Sequence, residues 1–212
     1  MPRQNRVTPF GTIIATRERG TVMGNRGRLH DEHGRIRRDW QVKRWLLCVL
    51  EFRGRQRAVM APDRYTELFF LDEATGFAAG HRPCAECRHG RYIAFRDAWT
   101  AANPGLAGAG RVSADELDAQ LHAERLGPDQ SKPTFRAKLD ELPDGVFIVR
   151  QGDENNPFLF WQGDLHAWSP GGYKRHHARL GAEEVHVLTP RSTVAAIRQG
   201  YVPEVHPTAH QA

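Results

Sequence analysis

Cys84 and Cys87 stand three residues apart and directly after a proline, in His81-Arg82-Pro83-Cys84-Ala85-Glu86-Cys87. A proline-fixed turn lets both sulfurs of such a pair face one point, and the thiolate is the form that binds a metal. A helix start at this position, with Arg82 beside it, would lower the thiol pKa. The chain has 3 cysteines, an odd count, and in a reducing compartment a CxxC pair reads as a metal or redox site rather than a structural disulfide. Zinc takes about four ligands, so the remaining donors must come from elsewhere. Histidines are the candidates: His81 and His89 flank the pair, and His122 lies in His122-Ala123-Glu124. A site of Cys84, Cys87 and His122, with His81 as a further ligand candidate, has the protein ligands and open position of a catalytic zinc, and Glu124 would be the catalytic proton shuttle. Zinc deaminases use those residue types in the opposite chain order, so that likeness is chemical only. Cys48, inside the apolar run Trp45–Leu50, reads as a small core residue.

The charge is unevenly spread. Residues 1–60 carry 14 Lys and Arg against 5 Asp and Glu, a balance of +9, which leaves −4 for residues 61–212. Thirteen of those 14 cations are arginines, whose planar fork suits phosphate oxygens, and they interleave with Trp40, Trp45 and Phe52. Nucleic acid is the acidic partner that this pattern fits, with Arg35, Arg37, Arg38, Lys43, Arg44, Arg53 and Arg55 as the expected contacts.

The stretch Glu73–Cys87 carries Gly80, Arg82, Pro83, Cys84 and Cys87 in an order that resembles the second half of the zinc module of Ada-type DNA-alkylation-response proteins. In that family the module binds zinc through four cysteines, one of which accepts a methyl group from damaged DNA phosphate. No cysteine pair stands upstream of Cys84 here, and Cys48 is the only other cysteine. The resemblance implies zinc, DNA, and a setting in DNA repair or the response to DNA modification.

The elements that must position these residues follow from local pattern. Gly11–Thr16 and Thr21–Met23 read as a hairpin, and Val42–Phe52 as a strand returning through Gln56–Met60. Asn25–Asp39 is polar and loop-like. Asp72 can cap a short helix ending at Gly80, and a second helix is expected from near Cys84 to Asn103-Pro104-Gly105. Ser113-Ala114-Asp115-Glu116 is a capping box opening a helix with Leu117 and Leu121 on one face. Phe135–Leu142 suggests a short helical piece; Val146–Arg150, Phe158–Gln162 and Val185–Leu188 suggest strands, and Ser192–Gln199 a last helix. The aromatic and basic residues between Trp161 and His177 suggest a loop. The class is α+β: antiparallel strands at both ends with a central helical segment carrying the CxxC, divided as a basic β-hairpin region with the CxxC helix (1–105) and a helix followed by an antiparallel sheet (106–212), or else one continuous domain.

A chain of 212 residues with 40% apolar and 26% charged residues can bury a real core, and no apolar run approaches the roughly 20 residues of a membrane span. Without a signal-like apolar segment after its basic start, the chain reads as cytoplasmic. P-loop, G-x-S-x-G and dinucleotide fingerprints are absent. The sequence therefore suggests a zinc-binding protein that engages nucleic acid, with a zinc-dependent hydrolase or deaminase acting on a small molecule or base as the alternative.

Overall fold

The structure is a computed structural model, which describes residues 1–54, 58–107, 110–176 and 183–210. Among those residues there are two six-stranded sheets and four α-helices. The first sheet uses β1 (Gln4–Val7), β2 (Ile13–Ala15), β3 (Val22–Asn25), β4 (Leu46–Cys48), β5 (Leu68–Phe70) and, after helix α1 (Glu73–Ala78), the two-residue β6 (Arg82–Pro83), in the order β2-β1-β5-β3-β4-β6. The second is fully antiparallel: β7 (Phe135–Lys138), β8 (Val146–Arg150), β9 (Asp153–Trp161), β10 (Asp164–Ser169), β11 (Gly172–His176) and β12 (Glu184–Val187) run β11-β10-β9-β8-β12-β7. Helices α2 (His89–Ala102) and α3 (Ala114–Arg125) separate the sheets in sequence, and α4 (Arg191–Arg198) follows them.

Local signals set the helix starts. The Asp72 carboxylate accepts the Thr75 N–H at 2.8 Å and so caps α1, whose chain reverses at Gly80 with φ +85°. Ser113 and Glu116 exchange hydrogen bonds as a capping box, and Leu117 and Leu121 of α3 are buried. On α2 the residues Tyr92, Phe95 and Trp99, three and four apart, form the buried face. One apolar cluster takes Val7, Leu47, Phe77, Phe95, Leu117, Val146 and Ile197 from both sheets and all four helices. Alternate β8 residues, Phe147 and Val149, join a second cluster with Ala74 and Ala78 of α1, so both faces of β8 are covered. That is why Val146–Val149 is continuously apolar.

Several expected elements take other forms. The CxxC is not in the central helix: Ala85–Arg88 form a turn, and α2 begins only at His89. Cys84 is held by the sheet instead, its N–H donating to Leu47 O at 2.8 Å. Strand β2 pairs with β1, while β3 pairs with β4 and β5, so the first two predicted strands are not hairpin partners. The sheet is mixed, since β1 runs parallel to β5 and β4 parallel to β6. Phe135–Lys138 pairs with β12 as a strand before the 3-10 turn Leu139–Glu141. The aromatic and basic stretch near the C-terminus is the β10–β11 hairpin. Among the described residues, no helix is long and apolar enough to cross a membrane.

Candidate metal centre

Two adjacent strands bring the sulfurs together. In the parallel pair β4 and β6, Leu46 faces Arg82 and Leu47 faces Pro83, so the next residues, Cys48 and Cys84, leave the sheet side by side. The turn after Cys84, closed by Arg88 N–H donating to Cys84 O at 3.2 Å, brings Cys87 back to them. The three Sγ atoms lie within 4.8 Å of one another, a group that could hold a metal ion. Cys48 is thus a member of the thiol cluster and not merely a core residue.

Backbone amides prepare two of the sulfurs to be thiolates. The Glu86 N–H donates to Cys84 Sγ at 3.4 Å, the Cys87 N–H also faces Cys84 Sγ, and the Val49 N–H faces Cys87 Sγ. A bound cation would displace the Cys48 proton; without one, that thiol has its pKa pushed up by its two neighbouring sulfurs and by burial. By donating to them it lowers Cys87 and, with the amides, brings Cys84 down to about 5. The cluster borders an open cleft of about 690 Å³ lined by Cys48, Cys87, Arg88, His89, Arg91 and Glu204, among others. His89 Nδ1 donates to Ala85 O at 2.9 Å, which leaves Nε2 as the ring's lone-pair nitrogen.

The C-terminal segment clamps the turn from behind. Arg88, next to Cys87, reaches Glu73 Oε1 at 3.1 Å and Glu204 Oε2 at 2.5 Å. Buried Glu73 also accepts from the Tyr201 hydroxyl at 2.9 Å, from the Glu204 N–H at 3.0 Å and from Arg91. Asp72 in turn accepts from the Tyr173 hydroxyl at 2.6 Å and the His206 N–H at 2.8 Å. Arg82 is fixed by a two-pronged bond to Asp118 of α3, at 2.8 and 2.7 Å.

The other expected site residues lie apart from the thiol cluster. His81 is fully buried, packs on Trp45 and Phe70, and accepts from Arg26 Nε at 3.2 Å. Burial and the cations around it hold its pKa well down. His122 is half-buried, edge-on to Trp40 at 4.7 Å between centroids, with Nδ1 3.2 Å from Arg125. Neither histidine belongs to the sulfur group. Glu124 accepts from both the N–H and the hydroxyl of Ser192, at 3.1 and 2.8 Å, and from Gln120, so its carboxylate fastens α3 to the start of α4.

Of the expected nucleic-acid contacts, Arg35 and Arg37 both bond to Asp31 Oδ2, at 3.0 and 2.9 Å. Arg53 stacks on Phe52 at 4.8 Å, and Arg55 lies outside the described residues. Arg38, Lys43 and Arg44 are exposed, and among the described residues none of them forms an ion pair. No protein-family model, curated protein or solved structure matches the chain.

Proposed function

We propose that the chain is a zinc-binding protein that engages nucleic acid, with Cys48, Cys84 and Cys87 as zinc ligands. The observation that carries this reading is the meeting of three sulfurs within 4.8 Å, two of them under backbone N–H groups that favour the thiolate. Soft thiolate sets select zinc over the hard cations that prefer oxygen. Bound there, zinc would act as a Lewis acid and as a tie between β4 and the CxxC turn. Three protein sulfurs leave one position of a tetrahedral ion for His89 Nε2 or for a molecule in the cleft. The Ada-type resemblance over Glu73–Cys87 supports the same choice of metal, with Cys48 supplying a third sulfur.

The nucleic-acid part is supported by Arg38, Lys43 and Arg44, which lie within four residues of half-buried Trp40 in the chain, are exposed, and form no ion pair among the described residues. The hydrolase or deaminase alternative gains nothing from Glu124, whose carboxylate is engaged by Ser192 and Gln120. Metal analysis of untagged protein tests the reading. About one zinc per chain is expected, lost in Cys48→Ser as well as in Cys84→Ser and Cys87→Ser. A metal-free protein, or zinc retained in all three variants, refutes it.

A further inference from the structure

Trp45 is the hub of a second cluster, made of cations. The Arg26 guanidinium carbon lies 3.9 Å from the Trp45 ring centroid and that of Arg125 lies 4.0 Å away, while the His81 ring is 5.1 Å from it. All three residues are buried, at 1%, 3% and 0% exposure. Lys132, which electrostatically opposes both arginines, donates to Ala78 O, and Arg125 donates to Gly80 O at 2.8 Å. Two guanidinium groups and an ammonium therefore crowd against the end of α1. Among the described residues none of the three forms an ion pair with a carboxylate. Asp39 and Asp118 act on Arg26 and Arg125 only from a distance, and Asp118 is already committed to Arg82.

Buried charge is ordinarily paired, as the Arg82 and Arg88 guanidiniums are. Here three donors remain unused: Arg26 Nη2, Arg125 Nε and His81 Nδ1 are buried with no hydrogen-bond partner among the described residues. Since Arg26 donates to His81 Nε2, the ring's proton sits on Nδ1, making that atom a donor as well. Carbonyl oxygens of Gly11, Gly80 and Lys43 take other guanidinium hydrogens but supply no net negative charge. The cluster reaches the surface at half-buried Lys132 and at half-buried His122, which touches both Arg125 and Trp40.

We infer that Arg26, His81, Arg125 and Lys132 form a binding site for a phosphate group. A phosphate brings up to two negative charges and several acceptor oxygens, matching surplus cations and orphan donors that one carboxylate would satisfy less completely. The group comes either from a small phosphate compound or from a terminal phosphate of a nucleic-acid strand lying along Trp40, Lys43 and Arg44. The site is separate from the thiol cluster and does not depend on the metal; only the strand-end source rests on the nucleic-acid reading.

Inorganic phosphate is the probe, measured by calorimetry and thermal shift against sodium chloride of equal ionic strength. Saturable binding and a higher unfolding temperature are expected with phosphate. Lys132→Met should weaken binding about tenfold or more, as should Arg125→Met, since each removes a charge-assisted contact. Lys132→Met, at a half-buried position, keeps the test valid if Arg125→Met fails to fold. A 5′-phosphorylated oligonucleotide that competes with phosphate where its 5′-hydroxyl counterpart does not supports the site with a strand end as source. Competition by a mononucleotide but by neither oligonucleotide supports it with a small compound as source. No binding beyond the chloride control, or undiminished binding by folded Lys132→Met, overturns it.

Discussion

Cys48 and Cys84 lie side by side because β4 and β6 run parallel with Leu47 opposite Pro83, and Cys84 N–H donates back to Leu47 O. A metal on these sulfurs would cross-link neighbouring strands at their C-terminal ends. Chelation of the metal should therefore lower the unfolding temperature, and the loss should grow with free zinc: about 2.7 kcal/mol at a hundredfold excess over the dissociation constant. Cys48→Ala should erase most of this zinc-dependent increment while retaining metal-free stability to within the cost of a small core truncation. Equal zinc-dependent shifts in the wild type and Cys48→Ala would remove Cys48 from the site.

The Arg82–Asp118 pair is almost wholly buried, with side-chain exposures of 2% and 5%. Asp118→Ala leaves the guanidinium without its partner and should destabilise the chain by about 3–5 kcal/mol in urea titrations. The apolar pair Arg82→Met with Asp118→Leu should be markedly milder than either single change, because no buried charge is stranded. A double variant as unstable as the sum of its singles would contradict that account.

Burial, and then Arg26 and Arg125, bring the Lys132 ammonium down to about 7. Between that value and the ordinary lysine value of about 10.4, the folded chain binds fewer protons than the unfolded chain, so this group makes stability rise with pH across the window. The penalty is full below the lower value and relieved as pH climbs. In phosphate-free buffer, the urea midpoint of Lys132→Met should rise less between about pH 7 and 9 than that of the wild type. Parallel curves for the two proteins would show that Lys132 is charged throughout.

Free cations and paired cations should differ in salt dependence. Replacing Arg38, Lys43 and Arg44 by Ala should lower the slope of log affinity against log salt by up to about 0.9 per lost contact on duplex DNA. Arg35→Ala with Arg37→Ala should change it less, because Asp31 already neutralises part of that charge. The reverse order of effects, read from binding isotherms at several salt concentrations, would place the contact surface on the Asp31 side.

Glycine packing gives a local test of how α1 sits on the first sheet. A Cβ on Gly76 would come within 2.5 Å of Leu47, one residue before Cys48. Gly76→Ala should cost about 1–3 kcal/mol through overpacking, and Leu47→Ala in the same chain should recover part of it. Additive losses in chemical denaturation would argue against the contact.

What was legible in the sequence was local. Asp72 and the Ser113–Glu116 box cap helices a few residues away, and Leu117 and Leu121 share a helical face, so these features need no knowledge of the fold. Cys48 is different: its partners come from a parallel pairing with residues far along the chain, and alone it looks like any small apolar side chain. The CxxC carries local helix-start signals but folds as a turn, because sheet hydrogen bonds to β4 compete with the helix start. Arg26 sits in a polar, loop-like stretch yet is buried, since Trp45 and His81 cover it. Charge counts cannot distinguish Arg38 from Arg35, because Asp31 binds the second and not the first.

The clamp behind the thiol turn also has a timing. Glu204, which grips Arg88, lies 116 residues further along the chain, and Tyr201 comes only just before it. At about 5–20 residues per second, a growing chain that already holds all three cysteines waits on the order of ten seconds for those partners. During that interval Arg88 and Glu73 lack their later partners, and the CxxC turn has less to hold it in place. A Cys84–Cys87 disulfide, formed by exchange with a small external disulfide that is reduced to its two thiols, is then a hazard of synthesis, and early metal capture would be the protection against it.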